Sequence, residues 1–108
     1  MLAALRDGAE VNLADKAGFT PLHFAAQQQH ADAARVLIQA GADVHARNMF
    51  GNTPLGVALV NAGNSGGEVV HVLLEAGSDP RADNNYGVSP LDLAAKVANY
   101  DLMRFFWP

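Results

Sequence analysis

The sequence predicts an all-α repeat domain in which short helix pairs stack side by side as a solenoid. A string of Gly, any residue, Thr or Ser, Pro and Leu occurs three times, starting at Gly18, Gly51 and Gly87. A second glycine-led string starts at Gly8, Gly41 and Gly77. Both strings recur after 33 and then 36 residues. Two separate markers therefore indicate one repeating unit, with extra residues in its middle copy.

Each unit carries the signals of two short helices. Thr20, Thr53 and Ser89 are predicted N-caps, and the proline after each takes the first helical position, where its missing N–H costs nothing. A polar break and a second apolar run, such as Val36 to Ile38, predict the second helix, which Gly41 ends. Because neither helix is long enough to be stable alone, each must bury its apolar side on the neighbouring unit.

These strings resemble ankyrin repeats. The stretches Gly18 to Ala26 and Leu37 to Val44 stand close to that family's pattern, and the resemblance covers nearly the whole chain. It implies a single domain over residues 1–108. Its units are predicted as an N-terminal half-repeat at 1–14 and repeats at 15–46, 47–82 and 83–107, the last incomplete.

The repeat units depart from the family's pattern in residue identity and in length. Gly56 and Asp92 stand where the first full unit has His23. The middle unit also contains an insertion, Asn61 to Gly67, whose composition predicts a flexible and solvated loop of unassigned role.

Composition limits the classes of function. The chain has 108 residues, of which half are apolar, so it can bury the core of one domain. Cysteine is absent, which excludes disulfides and fits the cytoplasm. No apolar run predicts a membrane span, and Met1 to Glu10 does not resemble a secretory signal. The net charge of -4 and the scattered basic residues predict no binding to nucleic acid.

The residues that carry chemistry form no catalytic pattern. The four histidines fall in different structural positions, and no pair has the spacing of a zinc motif. Asp15, Asp43, Asp79 and Asp83 recur at turns and are interpreted as residues that hydrogen-bond within hairpins. No nucleophile, base and orienting group occur together. We therefore expect no enzyme activity, no cofactor and no metal site.

The resemblance implies that the chain binds another protein, through the hairpin tips and the concave face of the first helices. The tip positions are Lys16, Phe19, Met49, Phe50, Asn52, Asn85, Tyr86 and Val88, and the helix positions are Gln27, Gln28 and Lys96. Aromatic residues with few charges are typical of interface centres. Alternatively, the aromatic rings at the hairpin tips fold back onto neighbouring hairpins and stabilise them. This alternative applies most of all to Phe19. The partner's identity does not follow from the sequence.

Phe105, Phe106 and Trp107 occupy helix positions where valine or leucine is usual. A solenoid end needs a polar outer face to remain soluble, so these rings require an explanation. They form a makeshift cap, or they drive self-association into a homodimer, or the chain is a fragment of a longer protein. Self-association as a structural unit is the alternative function.

Overall fold

The structure, a computed structural model, describes residues 11–62 and 67–96, with the backbone alone at 61–62 and 94–96. Its helices in these residues are α1 (Pro21–Gln27), α2 (Ala31–Gln39), α3 (Pro54–Ala62), α4 (Glu68–Glu75) and α5 (Pro90–Lys96). Nowhere in these ranges does a β-strand occur. The all-α prediction is confirmed.

The helices lie in two rows. In the first row, α1 packs on α3 and α3 packs on α5. In the second row, α2 packs on α4, and α1 packs on α2 as α3 packs on α4. This arrangement is the stack of helix pairs that the repeat predicts.

The predicted N-caps begin the first-row helices. At α1, Thr20 Oγ1 accepts a hydrogen bond from the His23 backbone N–H, and the Thr20 N–H donates to His23 Nδ1 at 3.1 Å. At α5, Ser89 and Asp92 make the same reciprocal pair, with both distances 3.1 Å. Each pair satisfies N–H groups that have no partner within the helix. Gly56 has no side chain to complete this pair at α3.

The core runs between the two rows of helices. Its largest fully buried apolar side chains are Leu22, Leu37, Leu55, Leu59, Leu73, Val11, Val69 and Val70. Small residues, Ala26, Ala34 and Ala58, are completely buried among them, which allows the helices to approach closely. Each buried leucine contributes about 1.5–3 kcal/mol of hydrophobic stabilisation, so a row of them holds the stack together.

A tight turn, which we call a finger, precedes each first-row helix. One side-chain oxygen shapes each finger by accepting two backbone N–H groups. Asp15 Oδ1 accepts from Ala17 and Phe19, both at 2.9 Å. Asn48 Oδ1 and Asn84 Oδ1 do the same one unit and two units later. The fingers at 15–19, 48–52 and 84–88 therefore have one shape.

Neighbouring fingers are joined by their backbones. The Met49 N–H donates to the Ala17 carbonyl at 2.8 Å, and the Asn85 N–H donates to the Phe50 carbonyl at 3.0 Å. The approach is so close that a Cβ on Gly51 would lie 2.7 Å from the Asn85 backbone nitrogen. Gly51 also has a φ of +77°, which favours glycine.

Leu37→Ala tests the placement of the core. Leu37 is 1% exposed, so its truncation is expected to lower the free energy of unfolding by about 2–5 kcal/mol. The control is Val36→Ala next to it, because Val36 is 45% exposed on the same helix. Chemical denaturation followed by circular dichroism measures both. Equal losses in the two variants would contradict the assignment of Leu37 to the core.

Gly51→Ala and Gly87→Ala separate finger contact from backbone strain. Both glycines have positive φ, so alanine costs about 1–2 kcal/mol at either position. A Cβ on Gly87 meets none of the described atoms within 4 Å, whereas one on Gly51 collides with Asn85. We expect a clearly larger drop in melting temperature for Gly51→Ala. Similar drops would mean that the fingers do not touch in solution.

Candidate functional site

A cleft lies between the second finger and helices α1 and α3. It has a volume of about 180 Å³ and is lined by Phe19, Gln27, Asn48, Phe50, Asn52, Val57 and Val60. Four of these residues, Phe19, Gln27, Phe50 and Asn52, were predicted from the sequence as partner-binding positions. Within residues 11–62 and 67–96, no charged side chain lines the cleft. The cleft therefore combines apolar walls with neutral polar groups.

The tips beside the cleft expose large side chains. Phe50 is 40% exposed, Met49 60% and Tyr86 72%. Phe50 and Tyr86 hold equivalent positions in adjacent fingers, and Ala17 holds that position in the first finger. The side chains at this position thus form one row along the stack.

Phe19 packs inward, unlike the rings at the other tips. Its ring centroid lies 5.6 Å from that of His23 and 5.4 Å from that of Phe24. Aromatic pairs at such separations stabilise a fold beyond their buried area. Phe19 therefore stabilises its own finger while one side of it still lines the cleft.

Asn52 and Asn85 use their polar groups to join neighbouring units. The Asn52 carbonyl accepts from His23 Nε2–H at 2.9 Å, and its Oδ1 accepts from Asn84 Nδ2 at 2.9 Å. Asn85 Nδ2 donates to the Met49 carbonyl at 2.9 Å. Both residues hold the fingers in register, a role that the sequence analysis did not assign to them.

The other predicted positions are more scattered. Lys16, Gln27 and Gln28 are exposed, and Val88 is half-buried. Lys96 is the last residue of α5, and the structure describes only its backbone. Phe105, Phe106 and Trp107 are also outside the described residues, as are positions 63–66 of the insertion.

Sequence reasoning missed Asn48 and Asn84. The prediction that turn aspartates bond within hairpins is confirmed for Asp15, Asp43 and Asp79. In the third finger, however, Asn84 makes these bonds, and Asp83 contributes a backbone carbonyl that accepts from Arg47. The signal was available, because Asn48 and Asn84 follow Asp15 at the repeat spacings of 33 and 36 residues.

His23 lies completely buried next to the cleft and connects two units. Its Nδ1 accepts from the Thr20 N–H, so the neutral ring carries its proton on Nε2, which donates to the Asn52 carbonyl. Burial lowers the pKa of His23 below its ordinary value of 6.5, although hydrogen bonds to the Asn52 and Ala46 carbonyls and the charge of Asp15 oppose this shift. The prediction that His23 bonds near its own helix start is confirmed.

Other clefts also occur on the described part of the chain. A shallow cleft of about 250 Å³ between α2 and α4 is lined by Arg35, Ile38, Gln39, Val72, Glu75 and Ala76. Across the described residues, no group of three or more histidine, aspartate or glutamate side chains has the arrangement of a metal site. None of the helices in that part of the chain is long and apolar enough to cross a membrane.

Comparison with known families settles the class of the repeat. A family model of ankyrin repeats, in three copies, matches residues 1–84. The chain belongs to the ankyrin repeat family. Ankyrin repeats are generally protein–protein interaction modules and are typically non-catalytic. The predicted unit boundaries remain a prediction.

Individual relatives match about half of the chain. An ankyrin repeat-containing protein of Schizosaccharomyces pombe is 38% identical over 51% of this chain and 27% of its own length. The Neurogenic locus Notch protein of Drosophila melanogaster is 48% identical over 51% of this chain and 2% of its own. Protein phosphatase 1 regulatory subunit 27 of Homo sapiens is 47% identical over 44% and 30%. The chain therefore covers less than a third of each of these relatives.

The lowered pKa of His23 predicts a pH dependence of stability. The unfolded chain binds a proton at His23 more readily than the folded chain does. Above pH 6.5, His23 is therefore expected to cause no change in the free energy of unfolding. This free energy is expected to fall as the pH drops from 6.5 towards the pKa of His23 in the folded chain. Urea denaturation between pH 7.5 and 5 measures this loss.

The same titration on His23→Asn is expected to show a shallower fall below pH 6.5, because the buried ring is gone. His30→Gln is the matched control, since it replaces an exposed ring on the same helix pair. An unchanged fall in His23→Asn would contradict the assignment to His23.

Proposed function

We propose that this chain is a non-catalytic module that binds another protein through its finger tips and the cleft behind them. The observation that carries the proposal is the cleft itself, whose walls are apolar and whose described lining carries no charge. Phe50 lies at the cleft, and Tyr86 holds the equivalent position in the next finger. Charge depletion and aromatic enrichment are typical of interface centres. The family's general role supports the same conclusion.

The rigidity of the fingers supports binding of useful strength by a small area. Two internal bonds to one side-chain oxygen fix each finger, and backbone bonds fix each finger on the next. Since the backbone of the tips is already ordered, little conformational entropy is lost when a partner binds. We further propose that the chain works in the cytoplasm, which fits its lack of cysteine.

A double variant, Phe50→Ser with Tyr86→Ser, tests the binding surface. Both rings project from turns and lie outside the core, so helicity by circular dichroism is expected to remain close to that of the wild type. Capture of partners from a lysate of the source organism, identified by mass spectrometry, is expected to lose its specific protein in this variant. Truncation of a hot-spot residue costs about 2 kcal/mol or more of binding free energy, which weakens affinity about thirtyfold or more.

Val36→Ser is the matched control for this experiment. Val36 is 45% exposed, a fraction similar to that of Phe50, but it lies on α2 and does not line the cleft. It is expected to retain the partner. Retention by the double variant, or loss by Val36→Ser alone, would contradict the proposed surface. Unfolding of the double variant would show that the rings are structural.

A further inference from the structure

One buried hydrogen-bond donor in the cleft, the side-chain Nδ2 of Asn48, has no acceptor among the residues that the structure describes. Asn48 is 6% exposed, and its Oδ1 is fully used by the Phe50 and Asn52 N–H groups. Its Nδ2, by contrast, has no hydrogen-bond partner within the described chain. A buried amide N–H without an acceptor is unfavourable, so this group favours any acceptor that reaches it.

Comparison of adjacent fingers explains the missing acceptor. In the third finger, Asn84 Nδ2 donates to Asn52 Oδ1 of the preceding unit at 2.9 Å. The position of Asn52 is taken one unit earlier by Phe19, whose ring offers no acceptor oxygen. The side-chain Nδ2 therefore has an acceptor at Asn84 but none at Asn48 within the described residues, although the two fingers have the same geometry. Both Phe19 and Asn48 line the cleft.

The surroundings of Asn48 limit the kind of acceptor that suits it. None of the described side chains that line the cleft is cationic, so a carboxylate or phosphate would lose its hydration without a compensating charge from them. A neutral carbonyl avoids that cost. The volume of about 180 Å³ is below that of pockets for drug-sized ligands, and is suited to a single side chain between Phe19, Phe50, Val57 and Val60.

We propose that the cleft binds an extended peptide segment of the partner protein, inserting one bulky apolar side chain while a neighbouring backbone carbonyl accepts from Asn48 Nδ2. This inference rests on the proposed function and names the chemistry of the partner. The Asn48 amide nitrogen is covered in the free chain, so a lining side chain must move aside. Phe19 is half-buried and lines the same space. Rotamer changes of this kind are common at interfaces.

Asn48→Asp removes the donor and keeps the finger. Asp15 shows that a carboxylate oxygen at this position accepts both finger N–H groups at 2.9 Å. The matched control is Asn84→Asp, which makes the same change where the donor is already paired within the chain. Phe19→Asn is a second variant, because it gives Asn48 the internal acceptor that Asn52 gives Asn84.

The probe is a phage-displayed library of random dodecapeptides, selected on the wild-type full chain. We expect an enriched motif with one bulky apolar residue. Isothermal titration of the enriched peptide is expected to show affinity weakened about tenfold or more by Asn48→Asp and by Phe19→Asn, and about twofold or less by Asn84→Asp. Circular dichroism checks that each variant is folded.

Two results would overturn the inference. The first is full affinity in Asn48→Asp, which would mean that Asn48 Nδ2 does not donate to the bound peptide. The second is a selection that enriches no apolar motif. In either case, loss of the lysate partner in the Phe50 and Tyr86 double variant would leave the proposed function standing. Retention of that partner would overturn the proposed function separately.

Discussion

The rest of the surface depends on the pair of hydrogen bonds that one side-chain oxygen accepts at the base of each finger. At Asp15, Asn48 and Asn84 this oxygen accepts two N–H groups that a tight turn would otherwise leave exposed. Because all fingers then share one shape, the backbone of each can bond to the next, as Met49 does to Ala17. The walls of the cleft and the row of tip side chains follow from that alignment. A finger of different shape would break both.

His23 connects this surface to the helices. Its ring completes the N-cap of α1 and packs against the ring of Phe19. It also donates a hydrogen bond to the Asn52 carbonyl of the next unit. Asp92 reproduces the first of these functions at Ser89, whereas Gly56 has no side chain with which to reproduce any of them. In the first full unit, a single side chain therefore links the helix cap, the finger and the neighbouring unit.

The local features of the fold could be predicted from the sequence, whereas contacts between units could not. N-caps, prolines and repeat spacing act within a few residues, so Thr20 and Ser89 were assigned correctly. The roles of Asn52 and Asn85 depend on atoms about 30 residues away, and no pattern within one unit reveals them. At the site, the sequence predicted that the side chains of Phe19 and Phe50 contact a partner protein. It did not show that Phe19 leans on His23, because that depends on side-chain packing.

The bonds between fingers have a consequence for how this surface changes over generations. At the Ala17 and Phe50 positions, neighbouring tips are joined through backbone carbonyls that accept from the backbone N–H groups of Met49 and Asn85, and every residue supplies such a carbonyl. The equivalent positions accordingly carry Ala17, Phe50 and Tyr86 on the same backbone shape. Selection can therefore exchange the side chains at these positions one at a time without remodelling the scaffold. The binding specificity of such a surface can diverge while the stability of the fold is kept. A short stack of this kind can therefore acquire a new partner by few substitutions.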